Sequence, residues 1–484
     1  MSGKKKILLI ILGVTLAAVV AAYLGVSFYF KKHFFPGTSV DGIDISLMTT
    51  DEAADKIYAV TNEYTLKITD RDKAGFILYG SDFGLLFDDR DFILAKLSEQ
   101  NSFAWISGLS SVGDFSYDFT NCYKEADFEE ALYKLEMFSE DYQRENVNAY
   151  IAYSDETGEF EIVPQEDGTV IYPDEVKLAV SGAVSTLEMT LELGDEYYEP
   201  TEYTSESEKV VSAYNEANGY LGTTITYDLG DYYDEVLGAD IISTWVSVDE
   251  DFNVTLDDEL IAKYVQHLAS AYNTYADKRS FTTALGDVIT IGGGDYGWVI
   301  NKTEEAEQIK EDIAKGTEIT REPVYSQTAL YRGTDDIGNT YIEIDYTNQH
   351  LYYFENGELV LECDIVSGNI SNGNGSPDGV FKIVYKQRDA TLVGEDYESA
   401  VDYFMPFAYN VGIHDASWRS KFGGEIYKKS GSHGCINVPA AMAKKIYESV
   451  ATGTPVIAYY RDSIKLTSEN AYISNAYSYV ASED

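Results

Sequence analysis

The chain has 484 residues, of which 82 are Asp or Glu and 35 are Lys or Arg, so its formal net charge at neutral pH is -47. This length predicts about three domains rather than one small core. A surface of this sign argues against nucleic acids and other anionic polymers as partners bound by general charge attraction.

The first predicted element is an uncharged segment at residues 7–30. At about 1.5 Å per residue a helix of this length extends roughly 36 Å, enough to cross a hydrocarbon core of about 30 Å. The tail at 1–6 is short and basic, which favours a cytoplasmic N-terminus and an extracellular remainder. We predict a transmembrane signal anchor at 7–30. The alternative is a cleavable signal peptide, although no clear Ala-x-Ala site follows.

A recurring pattern fills the chain from the anchor to residue 328, with a glycine turn and a few apolar residues before each helix start. Thr49 with Glu52, and Asn301 with Glu304, have the spacing of capping boxes, while Pro173 suits a first helical turn. The pattern predicts successive α+β units. We place them at 34–79, as a membrane-proximal unit, and at 80–200 and 210–328.

A mainly β domain is predicted at 338–462, after a polar boundary near 329–340, and residues 463–484 form a C-terminal tail. Alternating apolar residues predict the strands. Ala440–Val450 is the one predicted helix, and Val393–Phe407 is predicted as a loop beside the functional site. The predicted strands are Tyr341–Tyr346, Leu351–Phe354, Val380–Tyr385 and Thr454–Tyr459.

The segment with the most reactive chemistry is Ser432–Asn437, which reads SHGCIN, with His414 upstream. A thiol has an ordinary pKa of about 8.5 and needs a base to become a nucleophile near neutral pH, and an imidazole can take that proton. If the segment is extended, His433 and Cys435 face the same side. The amides of His433, Gly434 and Cys435 can then donate to one oxyanion.

Two other interpretations of these residues stay open. Cys435 can be a buried thiol beside core histidines, since cysteine is among the most buried residue types. Alternatively, His414, His433 and Cys435 supply three ligands of a type that catalytic zinc uses. No further Cys or His lies close in sequence, which favours the thiol site. Cys122 and Cys363 are widely spaced and are expected to be isolated thiols, although a bridge between them stays open.

The motif and its surroundings resemble the L,D-transpeptidase (YkuD-type) family over roughly 338–462. The resemblance implies that Cys435 is the nucleophile, that His414 is its base and that the backbone carbonyl of Asp415 orients the imidazole. His433 and Gly434 match positions that shape the oxyanion region, and no metal or organic cofactor is implied. The matching strand and turn segments are 341–345, 351–357, 376–381 and 453–457.

The implied reaction is acyl transfer in peptidoglycan, during cell wall biogenesis. Cys435 would release the terminal D-Ala of a stem peptide, and an amine of diaminopimelate or Lys on a second stem would resolve the thioester as a 3→3 cross-link. Water as the acceptor would give an L,D-carboxypeptidase. The resemblance also implies that carbapenems can acylate Cys435. We expect Tyr403, Met405 and Trp418 to form an apolar substrate wall, with Ser432 and Asn437 as further substrate contacts.

The units before residue 328 resemble peptidoglycan-binding domains of the VanW-associated type, which implies contact with glycan. A stack of spacers is the alternative. The fold class is therefore multidomain, with an N-terminal transmembrane helix, α+β repeats and a C-terminal mainly β domain. Two other functional classes are a wall-binding module and a papain-like protease. The order of His before Cys disfavours the protease.

Overall fold

The computed structural model describes residues 3–110, 113–232, 234–394, 397–462 and 464–474. The chain divides into two compact units, one comprising residues 1–151 and 162–211 and the other residues 152–161 and 212–484. The first unit begins with helix α1 (Gly3–Tyr29), which contains most of the predicted anchor. Among the described residues it is the one helix long and apolar enough to cross a membrane, by length and composition.

Short strands and amphipathic helices build the rest of the first unit around one apolar core. The predicted capping box is present, with Thr49 and Glu52 bonding each other at the start of α2, and Pro173 occupies the first turn of α6. The elements are β1 (Thr38–Val40), β2 (Ile43–Asp44), α2 (Thr50–Asn62), β3 (Thr65–Thr69), β4 (Gly75–Tyr79), α3 (Arg90–Glu99), α4 (Trp105–Gly108), β5 (Gly113–Phe115), α5 (Glu125–Leu132), β6 (Tyr150–Ser154), β7 (Glu159–Val163), α6 (Pro173–Ser185), β8 (Thr190–Glu192) and α7 (Glu208–Leu221), with β6, β7 and α7 crossing unit boundaries.

The second unit starts with a mixed α/β segment, in which the parallel pair β9 and β16 lies beside the long helices. Asn301 caps α10 by accepting a hydrogen bond from the backbone N–H of Glu304, which is one half of the capping box that its spacing predicts. The elements are β9 (Thr224–Tyr227), β10 (Glu235–Leu237), α8 (Ala239–Ile242), β11 (Val246–Val248), β12 (Val254–Leu256), α9 (Asp258–Tyr272), β13 (Arg279–Thr282), β14 (Val288–Ile291), β15 (Val299–Ile300), α10 (Lys302–Ile313), β16 (Glu318–Arg321) and β17 (Tyr325–Gln327).

The C-terminal part of this unit is the predicted β-rich domain. The four predicted strands and the predicted helix are confirmed, with ends shifted by a few residues. The elements are β18 (Tyr341–Asp345), β19 (His350–Glu355), β20 (Glu358–Asp364), β21 (Gly379–Lys382), β22 (Gln387–Val393), β23 (Glu398–Ala408), β24 (Val411–Asp415), α11 (Ile426–Ser430), β25 (Ile436–Val438), α12 (Ala440–Ser449) and β26 (Pro455–Tyr459).

Two sheets enclose the core of this domain. One has the strand order β20-β19-β18-β26-β21 and the other the order β22-β23-β24-β25. Apolar side chains from both sheets, such as Ile344 and Ile413, form a single buried cluster that Ala443 and Ile446 of α12 cover. The second sheet therefore packs one face against this core, with β24 between β23 and the edge strand β25.

The prediction of a loop at Val393–Phe407 is wrong. Most of that segment is β23, which pairs antiparallel with β22 on one side and β24 on the other. Val401, Tyr403, Met405 and Phe407 alternate along it and are buried. Burial of that alternating row favours a strand, and Pro406 is accommodated where the pairing with β24 shifts register.

The polar segment near residues 329–340 is packed against its neighbours within the second unit. Arg279 donates to both carboxylate oxygens of buried Asp336 at 2.7 Å, and the Tyr296 hydroxyl donates to the Asp336 carbonyl at 2.7 Å. Ile337 joins an apolar cluster with residues of β13, β14, β21 and β26. The buried ion pair and the shared apolar cluster therefore connect the predicted boundary segment to residues that precede it and to residues that follow it.

Candidate active site

Parallel strands β24 and β25 bring the predicted site residues together. Their register places His414 beside Asn437, and Cys435 lies immediately before the first residue of β25. A small cavity of about 170 Å³ opens beside these residues. Its lining comprises Leu392, Tyr397, Ser399, His414, Trp418, Arg419, Gly431, Ser432, His433, Cys435 and Asn437.

The imidazole of His414 is buried and held at both nitrogens. Nδ1 lies 2.8 Å from the backbone oxygen of Asp415, which can only accept, so Nδ1 carries the proton and Nε2 carries the lone pair. Nε2 accepts a hydrogen bond of 3.1 Å from Nδ2 of Asn437. The Asp415 carboxylate accepts instead from the backbone N–H of Tyr403 at 2.8 Å. The contact to the ring thus comes from the backbone of Asp415, as the resemblance implies.

The thiol of Cys435 is held in a protonated state. Sγ donates to the backbone oxygen of Asn410 at 3.6 Å, and no hydrogen bond joins it to His414 among the described residues. Burial raises the pKa of the Cys435 thiol to about 11, although a hydrogen bond from the Gly412 backbone opposes the shift. Burial also lowers the pKa of His414, against the opposing hydrogen bond to Asp415. Both groups are therefore neutral at pH 7.

Arg419 completes the support of the imidazole. Its Nε donates to Oδ1 of Asn437 at 2.8 Å and its Nη1 donates to the carbonyl of Ser430 at 2.7 Å. The bond to Oδ1 orients the Asn437 amide so that its NH2 group faces His414. Asn437 was predicted as a substrate contact. Its role in joining the guanidinium of Arg419 to the imidazole of His414 was not predicted.

The turn that precedes Cys435 differs from the extended segment expected. Residues 433–435 form a bend between a bridge at Ser432 and strand β25. Gly434 has φ +120°, which side chains rarely adopt, and a Cβ there would lie 3.2 Å from Val411. Its N–H donates to the Ser432 hydroxyl at 3.2 Å, so this amide already has a partner within the turn. The Ser432 hydroxyl in turn donates to the Cys435 carbonyl.

Ser376 holds the bend at residues 433–435 in place through its side chain. Its hydroxyl, which is fully buried, donates to the carbonyl of Gly434 at 2.7 Å and accepts from the N–H of Gly368 at 2.9 Å. Ser376 therefore determines where the peptide group next to Cys435 lies.

We expect Ser376→Ala to lower kcat/KM for acyl transfer about 10–100-fold, because small misplacements of reacting groups carry costs of this size. It should also lower the free energy of unfolding by about 1–3 kcal/mol, since buried partners lose their hydrogen bonds. Steady-state kinetics and chemical unfolding measure both effects. Ser371→Ala, at an exposed serine on the same loop, is the matched control. Equal activity of the two variants would contradict the role of Ser376.

Two residues of the expected apolar wall lie elsewhere. Tyr403 and Met405 are buried in the core of the domain and do not line the cavity. Trp418 does line it, with 52% of its surface exposed and its ring centroid 6.0 Å from that of His414. On the other side, His433 stacks on Tyr397 at 4.5 Å.

Sequence reasoning did not select Arg419, Tyr397, Ser399 or Leu392 as site residues. Arg419 follows Trp418 directly, so its proximity to a predicted contact was the available signal. Tyr397 and Ser399 lie in Val393–Phe407, which was predicted as a loop, and Leu392 lies directly before it in β22. As for the zinc alternative, the described part of the chain has no group of three or more His, Cys, Asp or Glu side chains that could hold a metal ion.

Comparison with known families agrees with this site. Residues 339–457 match the YkuD family, described as the L,D-transpeptidase catalytic domain, and residues 221–320 match the family described as "Putative peptidoglycan binding domain". The fold and site thus define a YkuD-type catalytic domain of an enzyme that modifies peptidoglycan. No curated protein sequence matches the chain.

Solved structures identify the family. The chain is similar to a crystal structure of an Enterococcus faecium L,D-transpeptidase with a Cys-to-Ser mutation, with 35% identity over 52% of this chain and 100% of that chain and a TM-score of 0.44. It is also similar to the E. faecium catalytic domain acylated by ertapenem, with 45% identity over 25% of this chain and 98% of that chain and a TM-score of 0.24. Identity of this level over the full length of the first relative shows that the chain belongs to the L,D-transpeptidase family.

Proposed function

We propose that the protein is a membrane-anchored L,D-transpeptidase that forms 3→3 peptidoglycan cross-links through a thioester on Cys435. The observation that carries the proposal is the placement of Cys435 and a tautomerically fixed His414 on one small cavity. The family membership supports the same chemistry. The acyl donor is a stem peptide that ends in D-Ala, and the acceptor is an amine on a neighbouring stem.

In the first half-reaction, Nε2 of His414 takes the Cys435 proton and the sulfur attacks the carbonyl carbon of the third stem residue. The C–N bond to D-Ala then breaks, and the imidazolium returns the proton to the departing amine. This step requires Nε2 to exchange the Asn437 hydrogen bond for the thiol proton. His433 lines the side of the cavity on which the oxyanion develops, and Gly434 sets the bend that places His433 and Cys435 there.

In the second half-reaction, the acceptor amine attacks the thioester carbon. The amine proton passes to His414 and then to the departing sulfur, which regenerates the thiol. Water in place of the amine would give the L,D-carboxypeptidase reaction from the same acyl-enzyme. The acceptor therefore decides between cross-linking and trimming.

Location follows from the N-terminal helix. With α1 in the bilayer and its lysine-bearing start inside, the catalytic domain faces the cell wall, where its substrate lies. The match of residues 221–320 to a peptidoglycan-binding family supports a role of that segment in holding the enzyme on glycan. In this proposal the membrane helix and the binding segment keep the enzyme at the cell wall, and the thiol site acts on the stem peptides there.

Mass spectrometry of muropeptides tests the proposal. The full-length protein in detergent is incubated with tetrapeptide-bearing disaccharides. We expect 3→3 dimers and free D-Ala. Tripeptides without dimers would demote the enzyme to a carboxypeptidase, and neither product would refute the function.

Covalent trapping is a second test. Because an E. faecium relative is acylated by ertapenem, we expect a carbapenem to add its mass to this protein at Cys435. Peptide mapping after exposure to ertapenem locates the adduct. An unchanged intact mass would contradict a reactive thiol at this position.

A further inference from the structure

Among the residues that the structure describes, Arg419 has no carboxylate partner, although the protein is strongly acidic. It lines the same cavity as Cys435 and His414. No ion pair joins it to an acidic side chain in the part of the chain that the structure describes. By contrast, Arg279, Arg321 and Arg461 in the same unit each pair with buried carboxylates.

The guanidinium keeps most of its hydrogen-bonding capacity. Arginine has five N–H donors in a planar fork. Only two are used, by Asn437 and Ser430, which leaves both donors of Nη2 and one of Nη1 without an acceptor among the described residues. Burial without an opposing charge lowers the pKa of Arg419, yet arginine stays protonated in proteins. The arrangement favours an anion that can accept two hydrogen bonds.

The size of the cavity limits which anion can bind to Arg419. A volume of about 170 Å³ corresponds to a sphere roughly 7 Å across, about two residues of extended chain. If the scissile carbonyl sits at Sγ of Cys435, an acidic group bound by Arg419 belongs to a residue directly beside that bond. In the proposed donor, the departing D-Ala carries a carboxylate at this distance.

We propose that Arg419 binds the terminal carboxylate of the residue that the acyl donor releases, and so restricts the enzyme to removing a single C-terminal residue. This inference rests on the proposed function. It makes Arg419 a specificity-determining residue in addition to its support of Asn437. A donor whose terminal carboxylate is missing, or lies further along the chain, loses this contact.

Three synthetic tetrapeptide donors test the assignment: one with free carboxylates, one amidated at the C-terminus, and one amidated at the carboxylate of the second residue. Release of the fourth residue is followed by mass spectrometry with the full-length protein. We expect the wild type to prefer the first donor over the C-terminal amide by about 10–100-fold in kcat/KM, mainly through KM, since hydrogen bonds between charged groups have strengths of this order.

The decisive quantity is the ratio of kcat/KM between acid and amide donors. Arg419→Gln should reduce this ratio to about 1, whatever its overall rate, and Arg419→Lys should give an intermediate ratio. Lys421→Gln removes an exposed positive charge two residues away and should leave the ratio at the wild-type value.

Several results would overturn the inference. A wild type that does not distinguish the acid from the C-terminal amide has no such carboxylate site. Arg419→Gln that slows both donors equally and keeps the ratio would show that Arg419 only supports Asn437. A large loss with the second-residue amide would assign the contact to that other carboxylate. Failure of the proposed function is distinct, because no donor would then release its fourth residue in a Cys435-dependent manner.

Discussion

Cys435→Ala should abolish acyl transfer, with a fall of at least about 10⁴-fold in kcat/KM, because removal of a nucleophile leaves only binding and oxyanion contacts to act on the substrate. The measurement is release of D-Ala and formation of cross-linked dimers by the full-length protein. The same variant should show no mass increase with ertapenem. It should unfold at nearly the wild-type temperature, since the hydrogen bond that Sγ donates to the Asn410 carbonyl, at 3.6 Å, is weak.

Cys122→Ala is the matched control for this variant. Cys122, like Cys435, is a free and partly exposed thiol, but it belongs to the first unit and not to the catalytic domain. We expect wild-type transfer from it. Should Cys435→Ala keep even a hundredth of the wild-type rate, the covalent mechanism would have to be abandoned.

His414→Ala should lower the rate about 10²–10⁴-fold at neutral pH, the usual contribution of a positioned general base. Without the imidazole, the reaction depends on the thiolate that forms in water. Because the pKa of the Cys435 thiol is raised to about 11, the rate of this variant should rise about tenfold per pH unit between pH 7 and 10. A pH series of kcat/KM measures the slope.

The wild type should behave differently over the same range. His414 must be neutral to accept the proton, and burial lowers its pKa. Activity should therefore persist through neutral pH and fall only on the acid side, as the imidazole becomes charged. A flat profile for His414→Ala, parallel to that of the wild type, would show that another group removes the proton. His433→Gln, at the other histidine of the cavity, is the companion variant.

Much of this catalytic domain could be predicted because its strands carry short, regular patterns. The alternation of Ile with polar residues in Tyr341–Asp345 and the apolar run Pro455–Tyr459 need only local sequence. The capping of α2 by Thr49, in the first unit, is likewise local. The grouping of His414 with Cys435 came from the motif and its resemblance. The structure adds the reason, which is the parallel pairing of β24 with β25.

The rest depended on contacts that local patterns do not encode. Tyr403 and Met405 were assigned to the cavity, but the register of β23 turns them into the core. The bridge from Arg419 through Asn437 to His414 joins residues 18 or more positions apart, and side-chain direction decides it. Likewise, nothing in the polar segment around Asp336 indicates that this carboxylate is buried and paired with Arg279.

The protonated resting state of the Cys435 thiol lowers its susceptibility to oxidation. Because desolvation raises the pKa of the Cys435 thiol, only a small fraction of molecules carries a sulfur anion at pH 7. Peroxides and disulfides react with the anion rather than with the protonated form, so irreversible oxidation to sulfinic and sulfonic acids is suppressed. A sulfur that is protonated at rest is therefore less open to oxidation than a standing thiolate would be.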